Sequence, residues 1–239
     1  CRAMASAAAA DYDAAHNHPD AETRKQNQTF YEFLVPLVKG FSTEMSLEVT
    51  SLGVQVHGGM GFIEETGAAQ HYRDAKILTI YEGTTAIQAN DLVGRKTSRD
   101  GGQSALAIAA QIATTEQQLA QRDNAAAQAM AKRLKAAREA FEQAVAFIAG
   151  NASSNPNVAF AGSVPYLMLS GNLMAGWQLG RSLLAALDEL AQGHDVEFMK
   201  SKIATAHVYA EHILTKVPGI RDSIVSGGEG VIEMALDSY

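Results

Sequence analysis

The sequence lacks the residues from which several common classes of protein are built. Its single cysteine, Cys1, excludes a disulfide within the chain and favours a reducing, cytoplasmic compartment. Basic residues are outnumbered, with 19 Lys and Arg against 26 Asp and Glu, and the net charge of −7 argues against a nucleic-acid surface. No apolar run approaches the roughly 18 residues that a membrane-spanning helix needs.

Candidate metal ligands are also scarce, and we predict no metal site. The sequence has neither paired cysteines nor a His-Glu-x-x-His motif. His16 and His18 stand in a polar turn, where solvation is favoured over metal binding. His207 and His212 are five residues apart, so they do not share a helix face closely enough to chelate one ion.

Helix-breaking and aromatic residues are few, at five prolines and 7% aromatics, whereas alanine is abundant. This composition predicts an all-α fold rather than a β-sandwich. With 47% hydrophobic residues, the 239-residue chain can bury a core, in one large domain or two ordinary ones. The polar, glycine-containing stretch around 99–102 is the best boundary, so we predict two helical bundles, residues 1–98 and 103–239.

The spacing of apolar residues predicts a succession of helices. They cover residues 2–15, 21–57, 68–77, 84–98, 103–122, 125–149, 158–191 and 195–216. We expect a kink near Pro36, a short extended stretch near 77–81, and a helix end at Pro218-Gly219. The segment Gly227–Gly230 is predicted to be a flexible turn rather than a phosphate loop, because no Lys-Ser/Thr follows it.

Apolar stripes and small residues identify the side chains that we expect to be buried. The expected core positions are Phe30, Phe33, Leu34, Leu37, Phe41, Met45, Val49 and Leu52 in the second helix, Ile87, Leu92 and Val93 in the fourth, and Met130, Leu134, Ala137, Phe141, Val145 and Ile148 in the sixth. Three glycines of the seventh helix, Gly171, Gly176 and Gly180, are predicted to permit a close helix crossing, which is favoured over a cofactor cradle.

Three short motifs in the first half carry the chemistry. They are Gln55–Phe62 (QVHGGMGF), Arg73–Ile77 (RDAKI) and Ile80–Thr85 (IYEGTT). The first is a helix end followed by a glycine-rich turn, whose backbone can approach another molecule closely. The third places Glu82 beside a helix start, where a carboxylate is either a general base or a charge that stabilises the helix. Arg73 and Asp74 are expected to form structural ion pairs or hydrogen bonds.

These three motifs, in this order and at this spacing, resemble the C-terminal helical domain of acyl-CoA dehydrogenases. The resemblance covers residues 1–98. From about residue 103 the helical pattern resembles an extra domain that follows it in a bacterial branch of the family, the branch of the 3-methylmercaptopropionyl-CoA dehydrogenases. The resemblance implies a C-terminal fragment of a FAD-dependent enzyme that removes hydrogen from the α and β carbons of an acyl-CoA thioester.

The resemblance also implies a role for individual residues. Glu82 would be the catalytic base that removes the α proton, and Tyr81 and Gly83 would line the substrate site. The cofactor contacts fall into two groups. Gln55, Val56, His57, Gly58 and Gly59 would lie against the adenosine diphosphate of a FAD held mainly by a neighbouring subunit, and Thr84, Thr85 and Ala86 would contact the nearer FAD. Ala86 stands where some members carry a polar residue, and His57 receives no catalytic role.

The implied partners are an acyl-CoA substrate, an electron-transfer flavoprotein as electron acceptor, and further copies of the chain in a dimer or tetramer. The domains that supply most of the flavin site in the family are absent from this sequence. We therefore expect that the chain alone does not retain FAD, is inactive, and exposes apolar side chains. The alternatives are an acyl-CoA oxidase, which uses the same base, and a helical interaction module without enzymatic activity.

Overall fold

A computed structural model describes residues 1–235 and 237, and this part of the chain is all-α, without strands, as predicted. The α-helices are α1 (Arg2–Asn17), α2 (Ala21–Pro36), α3 (Ser42–Val56), α4 (Gly59–Phe62), α5 (Ala68–Leu78), α6 (Thr85–Asp91), α7 (Gln103–Ala120), α8 (Ala125–Asn151), α9 (Pro156–Ala161), α10 (Ser163–Ala191), α11 (Val196–His212) and α12 (Val217–Glu233). Two π-helical segments cover Leu37–Phe41 and Leu92–Thr97, and three 3-10 turns cover Glu64–Thr66, Ser98–Asp100 and Leu214–Lys216.

The predicted kink near Pro36 is a change of helix type. Pro36 ends α2, and because proline has no N–H, it cannot donate the regular hydrogen bond to the preceding turn. The chain continues as the π-helical segment Leu37–Phe41 before α3 resumes the regular pattern. Gly40 lets this wider segment approach α10, since a Cβ on Gly40 would lie 2.8 Å from Leu167 Cδ2.

The apolar stripe of the second predicted helix is buried only in its first half. Phe33, Leu34, Leu37 and Phe41 are buried, and Phe30 and Met45 are partly buried. Val49 and Leu52 are 66% and 56% exposed, so the prediction of burial is wrong for both. They line an open groove between α3 and helices α10 and α11, which no described residue fills. Ile87 is also exposed, whereas Leu92 and Val93 are fully buried as predicted.

In the second half, α7 and α8 form an antiparallel hairpin, and α10 is the most deeply buried helix. Asn124 caps α8 by accepting a hydrogen bond from the Ala127 backbone N–H at 3.1 Å. All six predicted core residues of α8 are buried, which confirms the stripe. The helix predicted over 158–191 is divided at Gly162 into α9 and α10.

The glycines of α10 permit close packing, as predicted. A Cβ on Gly171 would lie 2.2 Å from Phe41 Cγ, and one on Gly176 would lie 2.7 Å from Leu214 Cδ2. These distances are too short for any side chain, so both positions require glycine unless their neighbours move.

The C-terminal predictions need two corrections. Pro218 lies in the first turn of α12, where its missing N–H costs nothing, so it begins a helix instead of ending one. Gly227–Gly230 lies inside α12, and the predicted flexible turn is wrong. Gly228 is buried there because α12 packs against α9; a Cβ on Gly228 would lie 3.0 Å from the Val158 carbonyl oxygen.

The two predicted bundles pack on each other through a common set of buried residues. The Phe33 and Phe141 rings meet edge to face with their centroids 6.2 Å apart. The Thr97 and Tyr166 hydroxyls lie 3.0 Å apart. The division into two domains, residues 1–98 and 103–239, stays a prediction.

Candidate functional site

Glu82 lies at the tip of the loop that joins α5 to α6, in a conformation that side chains rarely adopt. Its φ is 48° and that of Gly83 is 96°, so two consecutive residues are left-handed. Glycine takes this conformation freely, but a glutamate in it is strained by about 1–2 kcal/mol. Glu82 is exposed. The extended stretch predicted near 77–81 is wrong, because α5 continues to Leu78 and a turn follows.

Three threonines hold the base of this loop. The Thr85 backbone N–H donates to the Thr79 carbonyl at 3.2 Å and closes the loop. The Thr84 hydroxyl caps α6 by accepting from the Ile87 N–H at 3.3 Å. The Thr85 hydroxyl donates to the Glu44 carboxylate on α3. The left-handed backbone is therefore fixed by contacts on both sides.

Lys39 supports the same loop from the π-helical segment. Its ammonium donates to the Leu78 carbonyl at 2.7 Å and to the Tyr81 carbonyl at 3.1 Å. The same nitrogen lies 5.6 Å from the centroid of the Tyr81 ring, within range of a cation–π interaction. Neither Lys39 nor Glu44 was predicted from the sequence. A signal was present for Lys39, a charged residue between the buried apolar positions Leu37 and Phe41.

The first glycine motif forms an open turn at the end of α3. Gly58 has φ 60° and ψ −142°, which requires glycine, and no atom lies within 4 Å of a Cβ placed on Gly58 or Gly59. The side chains of Gln55, Val56 and His57 are exposed. Gly61 serves packing instead, since a Cβ there would lie 2.2 Å from the carbonyl oxygen of Val54 in α3.

The structure brings Tyr81, Glu82, Gly83, Thr84, Thr85 and Ala86 together in one loop and helix start, but it does not bring Gln55–Gly59 to them. The hydrogen bond from Thr85 reaches Glu44, near the first turn of α3, whereas Gln55 lies in its last turn. At 1.5 Å per residue, the two places are about 16 Å apart along the helix axis. A single compact ligand cannot contact both.

Arg73 has a structural contact, as predicted. Its guanidinium forms an ion pair with Glu64 at 2.6 Å, and both side chains are largely exposed. Exposed pairs of this kind contribute less than about 1 kcal/mol. Asp74 is exposed.

Large apolar side chains around these motifs are exposed to solvent, as expected. Val56 is 86% exposed and Phe62 is 82% exposed, and Ile77, Ile80 and Tyr81 are about half exposed. Apolar surfaces of this kind favour association with another protein surface. The oligomeric state itself stays a prediction.

A separate cavity of about 560 Å³ lies between α1, α2, α7 and α10, and none of the motif residues lines it. Asp11 and Arg181 face this cavity beside Trp177. One carboxylate oxygen of Asp11 is buried without a hydrogen-bond partner. Burial raises the pKa of the Asp11 carboxyl to about 6, although the charge of Arg181 opposes this shift.

Metal-binding clusters and membrane-spanning helices are both absent from the part of the chain that the structure describes. Within residues 1–235 and 237, no three or more His, Cys, Asp or Glu side chains are grouped so that they could hold a metal ion. Over the same part of the chain, each helix is too short or too polar to span a bilayer.

Two family models match the chain in succession. The model described as "Acyl-CoA dehydrogenase, C-terminal domain" matches residues 1–96. The model described as "Acetyl-CoA dehydrogenase C-terminal like" matches residues 108–235. The residues between the two matches include the predicted boundary at 99–102.

Curated proteins are similar along most of the chain. It is 54% identical over 235 residues to 3-methylmercaptopropionyl-CoA dehydrogenase of Ruegeria pomeroyi, covering 98% of this chain and 40% of that protein. It is 32% identical to the broad-specificity linear acyl-CoA dehydrogenase FadE5 of Mycobacterium tuberculosis, covering 85% and 34%. It is 31% identical to a butyryl-CoA dehydrogenase of Syntrophomonas wolfei, covering 100% and 39%. The chain thus spans 34–40% of the length of these relatives.

Proposed function

Because the chain belongs to the acyl-CoA dehydrogenase family, we propose that it forms the C-terminal part of a FAD-dependent enzyme that dehydrogenates an acyl-CoA thioester between its α and β carbons. The observation that carries this proposal is the conformation of Glu82. A strained, exposed carboxylate at the tip of a loop held on both sides is costly for stability and favours a chemical role.

Glu82 is the proposed base. The α proton of a thioester is weakly acidic, so its removal needs a carboxylate within hydrogen-bond reach of the α carbon. Charge then develops on the thioester oxygen, and a fixed N–H donor stabilises it. The backbone N–H of Glu82 is proposed as one such donor, and Tyr81 and Gly83 as walls of the substrate site. Bound FAD would accept the hydride that leaves the β carbon.

The two groups of proposed FAD contacts would serve two different cofactors. Thr84, Thr85 and Ala86 follow Glu82 directly and are proposed to contact the FAD that reacts there. Gln55–Gly59, about 16 Å away along α3, are proposed to contact the adenosine diphosphate of a FAD held mainly by a neighbouring subunit. The open glycine backbone at Gly58 and Gly59 fits this role, because nothing in the described structure covers it. This arrangement requires a homo-oligomer.

The substrate proposed for the first test is 3-methylmercaptopropionyl-CoA, after the relative that is 54% identical. Butyryl-CoA and longer linear acyl-CoA thioesters form the comparison set, since other relatives carry these names. Turnover of the full-length enzyme with each thioester ranks them. A rank order led by another thioester would overturn the assignment of 3-methylmercaptopropionyl-CoA.

An electron-transfer flavoprotein is proposed as the electron acceptor. Oxygen consumption separates this reaction from that of an acyl-CoA oxidase. With acyl-CoA present, the full-length enzyme should reduce an electron-transfer flavoprotein and consume little oxygen. Stoichiometric oxygen consumption would favour the oxidase. A full-length protein without a flavin spectrum would favour a helical interaction module.

The base is tested by Glu82→Gln in the full-length enzyme. A positioned general base contributes about 10²–10⁴-fold to the rate, so turnover should fall by at least that range while FAD content stays unchanged. Glu229→Gln removes an exposed carboxylate on α12 and serves as the control with normal turnover. Near-normal turnover of Glu82→Gln would remove Glu82 from the role of base.

A further inference from the structure

The ammonium of Lys39 is the long-range support of the loop that carries Glu82. It donates to the carbonyls of Leu78 and Tyr81, which lie 39 and 42 residues further along the chain. We propose that Lys39 is a positioning residue for the dehydrogenation: it fixes the peptide between Tyr81 and Glu82, and with it the base and its backbone donor. This inference rests on the proposed function of Glu82.

The geometry of a peptide bond explains why one contact orients both groups. The peptide between Tyr81 and Glu82 is planar and trans, so its carbonyl and its N–H point in opposite directions. Because Lys39 holds the Tyr81 carbonyl at 3.1 Å, the Glu82 N–H is directed to the opposite side of the loop. A cation on the carbonyl also polarises the peptide and makes this N–H a stronger donor.

The second contact, from Lys39 to the Leu78 carbonyl, fixes the end of α5, where the loop begins. Leu78 is the last residue of α5, and its carbonyl has no partner within the helix. A positive charge at a helix C-terminus is favourable, because the carbonyls there carry partial negative charge. Lys39 therefore joins the end of α5 to the residue before Glu82, and the two contacts span the turn between them.

The surroundings of Lys39 make these carbonyls its natural partners. Leu37, Gly40 and Phe41 of the same π-helical segment are buried, and Lys39 is half-buried among them. A charge in such a place is costly unless it is hydrogen-bonded. The hydrogen bonds of Lys39 to Leu78 and Tyr81 thus stabilise the loop in which Glu82 and Gly83 are left-handed.

Lys39→Met in the full-length holoenzyme tests the proposal, because a positioning role should affect kcat much more than KM. We expect kcat to fall at least tenfold, whereas KM for the acyl-CoA and FAD content change less than threefold. Lys39→Arg keeps the charge and several donors and should recover part of the loss. Lys96→Met is the matched control, because Lys96 is also partly buried but bonds to Glu32, away from the loop. Its kcat should stay normal.

Amide hydrogen exchange supplies a readout that does not depend on turnover. The Tyr81 N–H donates to Ile77 at 3.1 Å and the Thr85 N–H to Thr79 at 3.2 Å, so both report the order of the loop. In Lys39→Met both amides should exchange at least tenfold faster, while amides of α8 exchange as before.

The outcomes separate this inference from the proposed function. Normal kcat and normal loop exchange in Lys39→Met, with Glu82→Gln inactive, would overturn the role of Lys39 alone. Loss of FAD in proportion to activity would overturn it too, because Lys39 would then maintain the fold rather than position the base. If Glu82→Gln stays active, the proposed function fails, and faster loop exchange in Lys39→Met would mark Lys39 as a structural tether without a part in the reaction.

Discussion

The hydroxyl of Tyr166 on α10 lies 3.0 Å from the hydroxyl of Thr97, at the end of the second π-helical segment, and both residues are buried. This hydrogen bond joins the two predicted bundles beside the polar stretch that separates them in sequence. Burial raises the pKa of the Tyr166 hydroxyl, so the group stays protonated and can donate at any ordinary pH.

Removal of this hydrogen bond should lower the free energy of unfolding. Tyr166→Phe leaves the Thr97 hydroxyl buried without its partner, and we expect a loss of about 1–2 kcal/mol. Thermal unfolding followed by circular dichroism measures the change. Thr97→Val added to Tyr166→Phe should cost less than the sum of the single changes, because no unpaired hydroxyl remains. Strict additivity would contradict the contact.

Gly171 should not accept even a methyl group. Gly171→Ala would place a Cβ 2.2 Å from the Phe41 ring, and overpacking of this kind costs about 1–3 kcal/mol. Gly53→Ala is the matched control, because no atom lies within 4 Å of its Cβ. At that helical position alanine should stabilise the chain by about 0.5–1 kcal/mol. The melting temperatures of the two variants should therefore move in opposite directions, and a shift in the same direction would disprove the packing argument.

Asp11 should make the chain less stable as pH rises from about 4 to 6. Its pKa is raised from 3.8 in the unfolded chain to about 6 in the folded one. The folded state therefore binds the proton more tightly in this window, and stability is lost as the pH passes through it. Because the carboxyl is about half solvated, the effect is on the order of 1 kcal/mol.

Asp11→Asn tests this dependence. The amide cannot ionise, so the variant should gain stability over the parent at pH 8 and show almost none of that gain at pH 4. Asp13→Asn, on the same helix but exposed, is the control without such a difference. An equal effect of Asp11→Asn at both pH values would exclude the buried carboxyl as the cause.

The 239-residue chain alone should not bind FAD or turn over acyl-CoA. A cofactor site encloses most of its ligand, but the proposed contacts here are an open turn and a loop about 16 Å apart along α3. Titration of the purified chain with FAD, followed by flavin fluorescence, should show no saturable binding at micromolar concentration. Saturable binding would show that the described residues enclose more of the cofactor than their geometry indicates.

Most helices could be predicted because apolar spacing identifies the buried face of each one. All six predicted core residues of α8, from Met130 to Ile148, are buried. Val49 and Leu52 follow the same rule and are exposed. Spacing shows which face of a helix is apolar, but it does not show whether a partner in the chain covers that face.

Local rules for proline and glycine failed where packing decides the outcome. Pro218 is compatible with both the end and the first turn of a helix, and α12 uses the second option. The glycines of Gly227–Gly230 weaken a helix in isolation, yet Gly228 permits the approach to Val158 of α9. The sequence around Gly228 contains no information about its contact with Val158, which lies 70 residues earlier in the chain.

The candidate site was predicted from its motif, whereas the residues that support its loop were not predicted. Glu82, Gly83 and Thr84 are consecutive, so their pattern is visible in sequence. Lys39 and Glu44 lie 42 and 41 residues before their partners Tyr81 and Thr85. Such pairs become evident only when the π-helical segment Leu37–Phe41 and α3 are placed beside the end of α5 and the start of α6.

The length of α3 sets both the spacing and the rotational phase of its two ends. A regular helix advances 1.5 Å and turns about 100° with each residue. One residue inserted between Glu44 and Gln55 would displace the Gln55–Gly59 turn only slightly, but it would rotate that turn by more than a quarter of a revolution relative to Thr85. An inserted residue in the turn after Ala191 would leave this alignment intact. The rotation that α3 imposes, more than its length, thus decides how the two proposed FAD-contact regions at its ends are oriented relative to each other.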